Sequence, residues 1–192
     1  MKFIPLIYMN DRKIYPGKTS DPISIIDFLK QAEKIKKIYI LDLDGVEQDK
    51  PNLCTYQRLA GQIDFWVDSG PRDKGDVVDA TMSGATDITL RKKLCPNLQV
   101  SEIKEISENK IYEKIDFNEE PPFNDIDGFV NFNRKEEIEG TFEYRDKLKK
   151  KSANNSIYSY ENELKNLNYW KHFNVEGLLV DFNKVKEFKN AL

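Results

Sequence analysis

The chain has 192 residues, 39% hydrophobic and 33% charged, with a formal net charge of −3. These values fit one globular domain over residues 1–192, with no charge surplus directed at nucleic acid or an anionic membrane. No apolar run reaches the length of a membrane span, and residues 1–5 turn polar too quickly for a signal peptide, so a cytoplasmic location is expected. His172 is the only histidine and Cys54 and Cys95 are solitary, which excludes a zinc site or a histidine-based triad by count; no metal or cofactor is expected.

In chain order, the pattern alternates strands and helices. Phe3, Ile4, Leu6 and Ile7 predict a first strand, followed by a polar loop through Pro16 and Gly17. Asp21 and Pro22 predict the start of a helix over residues 23–35. Tyr39, Ile40, Leu41 and Leu43 make a near-continuous apolar run ending in Asp42, Asp44 and Gly45, the mark of a strand buried on both faces. A helix follows from about Asn52 to Gly61. Ile63, Phe65, Trp66 and Val67 form a third strand that ends in Asp68, Ser69, Gly70 and Arg72.

Residues 77–82 predict another helix, 86–90 a fourth strand with a basic exit at Arg91, and 98–106 a half-exposed fifth strand. The acidic stretch 108–127, which contains Pro121 and Pro122, predicts irregular structure. Strands at 128–132, 156–160 and 175–182 then alternate with helices at 142–151, 162–173 and 184–191. Eight strands alternating with helices predict a compact (β/α)8 TIM barrel in α/β class with trimmed helices, since that fold usually takes about 250 residues. An open flavodoxin-like sheet is the alternative, but it leaves the last two strands surplus.

In parallel α/β folds, ligands sit beyond the carboxyl ends of the strands, which directs attention to the acids there. Ile4-Pro5-Leu6-Ile7, Leu41-Asp42-Leu43-Asp44-Gly45 with Asn52, Val67-Asp68-Ser69-Gly70-Pro71-Arg72 and Gly84-Ala85 together resemble the HisA/HisF family of histidine-biosynthesis barrels over residues 3–90. The resemblance implies a HisA-like barrel and, in the family isomerase, an Amadori rearrangement that uses aspartates at the ends of strands one and six. Those positions match Tyr8 and Asn131, so loss of that activity is expected. The family also binds two phosphates on glycine-rich turns. The turn after strand three keeps Ser69, Gly70 and Arg72. Strands seven and eight end in Glu161 and Asp181, which repel an anion.

The expected partner is therefore a small phosphorylated or otherwise anionic metabolite, held by Ser69, Gly70, Arg72 and Arg91, with Tyr8, Asp68 and Asn131 as pocket residues and Asp42 and Asp44 as candidate catalytic carboxylates. Each has a plainer alternative. A strand-end aspartate can serve the loop N–H groups, and Arg72 can pair with Asp68 or Asp44 instead of an anion. The Asp42-Leu43-Asp44-Gly45-Val46 run also resembles the first motif of haloacid-dehalogenase phosphatases, in which the two aspartates and magnesium hydrolyse a phosphate ester. A barrel without catalysis is the remaining alternative.

Overall fold

The computed structural model describes residues 1–118 and 121–191. Its elements are β1 (Lys2–Asn10), β2 (Lys13–Tyr15), α1 (Ile25–Ala32), β3 (Lys37–Asp42), α2 (Leu43–Gln48), α3 (Leu53–Leu59), β4 (Asp64–Asp68), α4 (Lys74–Met82) and β5 (Asp87–Leu90). They continue with α5 (Val100–Lys104), β6 (Lys110–Lys114), β7 (Gly128–Asn131), α6 (Lys135–Glu139), α7 (Phe142–Asn154), β8 (Ser156–Tyr160), α8 (Leu167–His172), β9 (Gly177–Asp181) and α9 (Val185–Asn190). Strand β1 closes the barrel. Its first half pairs in parallel with β9, from Lys2 with Gly177 to Leu6 with Asp181, and its second half with β3, from Leu6 with Tyr39 to Met9 with Asp42. This offset along one strand is the stagger that closing a tilted sheet requires. The remaining order β3-β4-β5-β6-β7-β8-β9 is parallel throughout, giving a closed (β/α)8 barrel with the short β2 added antiparallel to the end of β1.

Side chains alternate across this wall. Ile38, Ile40, Phe65, Val67 and Ile88 point outward into a shell completed by Phe28, Tyr56, Val77 and Ile103 of the helices. A second shell over the last three strands gathers Phe129, Ile157 and Leu178 beneath Leu148, Trp170 and Phe188. Inside the barrel the filling is aromatic where aliphatic residues usually dominate. Trp66 lies 3.9 Å from Tyr112 and 5.1 Å from Tyr158 between ring centroids, and Tyr39 lies 5.0 Å from Trp66. Two of the polar tips are satisfied within the core: the Trp66 indole donates to Thr89 Oγ1 at 2.8 Å, and the Tyr39 hydroxyl lies 3.1 Å from the same oxygen.

Four expectations from sequence need correction. Residues 98–106 are not the fifth strand: Val100 and Ile103, three apart and both buried, form one face of α5. The fifth barrel strand is β6, inside the stretch predicted irregular. Its apolar content is only Ile111 and Tyr112, and Glu113 is buried beside them because its carboxylate accepts the Phe123 N–H at 2.7 Å. Between β6 and β7 no helix occurs among the described residues, and Glu119 and Glu120 of that predicted irregular stretch lie outside them. Strand β3 ends at Asp42 instead of Asp44, because the Asp42 side chain caps α2. Helix α1 begins after Ser24, whose hydroxyl caps Asp27, since Ile23 is held extended by its bond to the Ile14 carbonyl.

Burial pushes the phenols of Tyr8, Tyr39, Tyr56, Tyr112, Tyr158, Tyr160 and Tyr169 above the usual value of 10.0, Tyr169 to about 12. The unfolded chain therefore releases these protons first as pH rises past about 10, and stability falls from there; below it both states keep them. We expect cooperative alkaline unfolding in which tyrosinate absorbance appears together with loss of ellipticity. Gradual ionisation at full ellipticity would contradict this packing.

Candidate functional site

The acids that close the strands are the first candidates, and the structure gives most of them local partners. Asp42 alternates with the inward Leu41 and so lies outside the barrel, under α2 and α3. It is fully buried and accepts four hydrogen bonds: from Gly45 N at 3.2 Å, Asn52 N at 2.7 Å, Asn52 Nδ2 at 2.8 Å and the Tyr56 hydroxyl. Asp44 accepts from Asp11 N at 2.9 Å, Arg12 N at 3.1 Å and Asn52 Nδ2 at 2.9 Å, tying the β1–β2 turn to α2. Burial raises the Asp42 carboxyl above its usual range despite its donors. Burial acts on Asp44 too, but Asn52 and the two backbone donors outweigh it and hold that carboxyl low. Gly45 completes the motif, because a Cβ there would run into the Ser69 carbonyl oxygen where α2 crosses the end of β4.

Arg72 spans the same crossing. Its Nη1 donates to the carbonyls of Gly45, at 3.1 Å, and Gly70, its Nη2 to Val46 O at 2.9 Å, and its Nε lies 3.4 Å from Asp49. Gly70 takes φ +63°, and a Cβ would press on Arg72 Nη1 and on Val46 Cα at 2.9 Å. The turn of Ser69, Gly70 and Arg72 is thus folded around the guanidinium, with the Arg72 backbone N–H donating to Asp76 at 2.7 Å.

Asp68 and Arg91 do meet, inside the upper barrel. The guanidinium grips the fully buried carboxylate in a fork, Nε at 2.9 Å and Nη2 at 2.7 Å, and the Tyr39 hydroxyl adds a bond at 3.3 Å. On the opposite wall Asp181 Oδ1 lies 3.0 Å from the Tyr8 hydroxyl and 3.2 Å from that of Tyr160, the two phenols being 2.9 Å apart. Its Oδ2 accepts the Lys18 backbone N–H at 3.1 Å. Asn131 stands apart from both groups: it alternates with the inward Val130, and on the outer face it bonds Asn133 and Ser159.

Above these two clusters opens a cavity of about 790 Å3 at the carboxyl ends of the strands. Tyr8, Tyr15, Leu41, Leu43, Phe132 and Tyr160 form its walls, and Lys18, Arg134, Glu47 and Glu137 stand on its rim. Phe132 leans on Tyr160 with centroids 5.7 Å apart. Arg134 reaches Glu137 at 3.2 Å, while among the described residues the Lys18 ammonium has no ion-pair partner. Of the residues singled out from sequence, Tyr8 lines this cavity and Asp68 and Arg91 lie within the barrel below its mouth. Phe132 was read only as the end of the strand at 128–132, and Tyr15, Lys18 and Arg134 were not singled out, because the β2 hairpin, the loop beyond it and the turn after β7 leave no periodic signal. Buried phenols pushed upward stay protonated, so the cavity walls offer hydroxyl groups, and its exposed carboxylates, Glu47 and Glu137, stand with the cations on the rim. Among the described residues, no three His, Cys, Asp or Glu side chains are grouped to hold a metal ion, and no helix is long and apolar enough to cross a membrane.

Replacing Asp42 distinguishes a structural hub from a nucleophile. Asp42→Asn keeps the shape but turns an N–H2 toward groups that are themselves donors, and we expect a loss of roughly 2–4 kcal/mol and a Tm lower by roughly 5–15 °C. An unchanged Tm would contradict the hub. Comparison with protein-family models and with curated proteins finds no match, so what stands for this chain is its architecture: a closed barrel of eight parallel strands with intervening helices.

Proposed function

We propose that the protein binds a small anionic metabolite, phosphorylated or carboxylated, in the cavity at the carboxyl ends of its strands, and that binding without turnover is its role there. The observation that carries this reading is the Lys18 ammonium, without an ion-pair partner among the described residues, beside the walls of Tyr8, Tyr15 and Tyr160. The Lys18 backbone is pinned to Asp181, so the mouth is built before a ligand arrives, which lowers the entropy cost of binding. Arg134 adds a second cation; its pairing with Glu137 is exposed and weak enough for a ligand anion to compete with it. Apolar walls with a few placed polar groups are the usual composition of a metabolite site, and the volume lies in the usual range.

The closed barrel agrees with the HisA/HisF resemblance at the level of fold, and we read the chain as a divergent relative that has lost the isomerase chemistry. At the two positions where that family uses aspartates, Tyr8 is a buried phenol and Asn131 faces away from the mouth. The turn at Ser69 and Gly70 gives a phosphate less than its sequence suggests, because Arg72 is engaged by three carbonyls and Arg91 by Asp68. The phosphatase alternative draws no support from the saturated, buried Asp42.

Ribose 5-phosphate, titrated at low salt and followed by thermal stability, is a suitable probe. We expect stabilisation that Lys18→Ala with Arg134→Ala removes and that a comparably exposed control, Lys150→Ala, leaves intact. Equal stabilisation of all three proteins would overturn the site. Assayed with the family's aminoaldose substrate, the protein should show no turnover, since each well-placed proton-transfer group is worth about 10²–10⁴-fold.

A further inference from the structure

The opposite end of the barrel carries a second concavity. It holds about 600 Å3 and is ringed by Lys2, Lys34, Lys36, Lys37, Lys110 and Lys189, with Asp87 as the one carboxylate in its lining. Three of these lysines open strands: Lys2 begins β1, Lys37 β3 and Lys110 β6. Closure of the barrel brings them together with the turn before β3 and the outer helix α9. Lys37 is neutralised by the buried Asp87, and Lys2 by Glu176 at 2.6 Å. Among the described residues, Lys34, Lys36, Lys110 and Lys189 have no ion-pair partner, and all four are exposed.

In a chain whose net charge is −3, four unpaired ammonium groups around one hollow concentrate a positive potential that the composition does not announce. We infer that this amino-terminal hollow is a second ligand site, one that takes a small molecule bearing several phosphate groups in a chain. A single anionic centre cannot approach four ammoniums spread round a rim, whereas linked phosphates can meet several at once through charge-assisted bonds. The form of the hollow argues for a small molecule over nucleic acid. Its floor is closed by Trp66, Tyr112 and Tyr158, whose rings are buried in the barrel and offer no open face for stacking bases. The site does not depend on the mouth at the other end of the barrel, and neither reading requires the other.

Calorimetric titration of the full chain at low ionic strength with inorganic tripolyphosphate, ATP and orthophosphate tests this. We expect saturable binding of tripolyphosphate, tighter than that of orthophosphate and weakened by added salt. Lys36→Glu with Lys110→Glu, both at exposed positions, should weaken it by about tenfold or more. Lys34→Ala with Lys189→Ala should weaken it less, and Lys18→Ala with Arg134→Ala at the mouth not at all. ATP binding as tightly as tripolyphosphate identifies the phosphate chain as what is read, and tighter ATP binding identifies a nucleotide as the source; both support the site. Absence of saturable binding overturns it, as does binding unchanged by the charge reversal. A single-stranded oligonucleotide that binds more tightly than tripolyphosphate, and is lost in the same variant, would overturn it in favour of a nucleic-acid surface.

Discussion

Loop N–H groups buried beside the carboxyl ends of the strands need acceptors, and the rest of this barrel's upper face is arranged around meeting that need. Short connections cannot supply enough carbonyls of their own, so carboxylates at the strand ends do so. Asp42 serves α2 and the start of α3, and Glu113 serves Phe123. Glu161 accepts from Asn162 N and Glu163 N, both at 2.8 Å, from Asn166 Nδ2 at 3.0 Å and from the Trp170 indole at 2.9 Å. Acids in these positions look like chemistry in a sequence. Here their lone pairs are occupied by the chain itself, and removing one would leave buried donors without partners.

The same economy shapes the interior. With short helices outside, the barrel gains burial by filling its centre with tyrosine and tryptophan, which bring large apolar area and a polar tip each. Every such tip then demands a partner. Thr89 serves both Trp66 and Tyr39, and Asp68 serves Tyr39 while Arg91 balances its charge. Asp181 does the equivalent for Tyr8 and Tyr160, and by holding the Lys18 backbone it extends the network to the rim of the mouth. The cavity is thus a continuation of the core's hydrogen bonding.

Most of the strands were legible in the amino-acid sequence because apolar runs buried on both faces are distinctive: residues around Tyr39, Phe65, Phe129, Ile157 and Leu178 all form barrel strands, although the count of eight was reached with residues 98–106, which form α5, in place of β6. The alternation with helices gave the closed barrel by length and order alone. What sequence missed was β6, whose buried Glu113 reads as a surface residue until Phe123 folds back upon it, and α5, whose five residues are too few to separate helical from strand spacing.

Tertiary structure alone decided the sites. The Asp42-Leu43-Asp44-Gly45 motif was visible as residues, but only its partners Asn52 and Tyr56 and the backbone N–H groups of Asp11 and Arg12 make it a structural hub. The sequence likewise could not tell that Arg72 and Arg91 are engaged from within. Nor could it tell that Lys18 has no ion-pair partner among the described residues at one end of the barrel while lysines from three strand starts converge at the other. The physical reason is the same for each: a side chain's charge and capacity for hydrogen bonding are local properties, whereas what satisfies them comes from chain far away in sequence, brought near only when β1 pairs with β9 and the sheet closes.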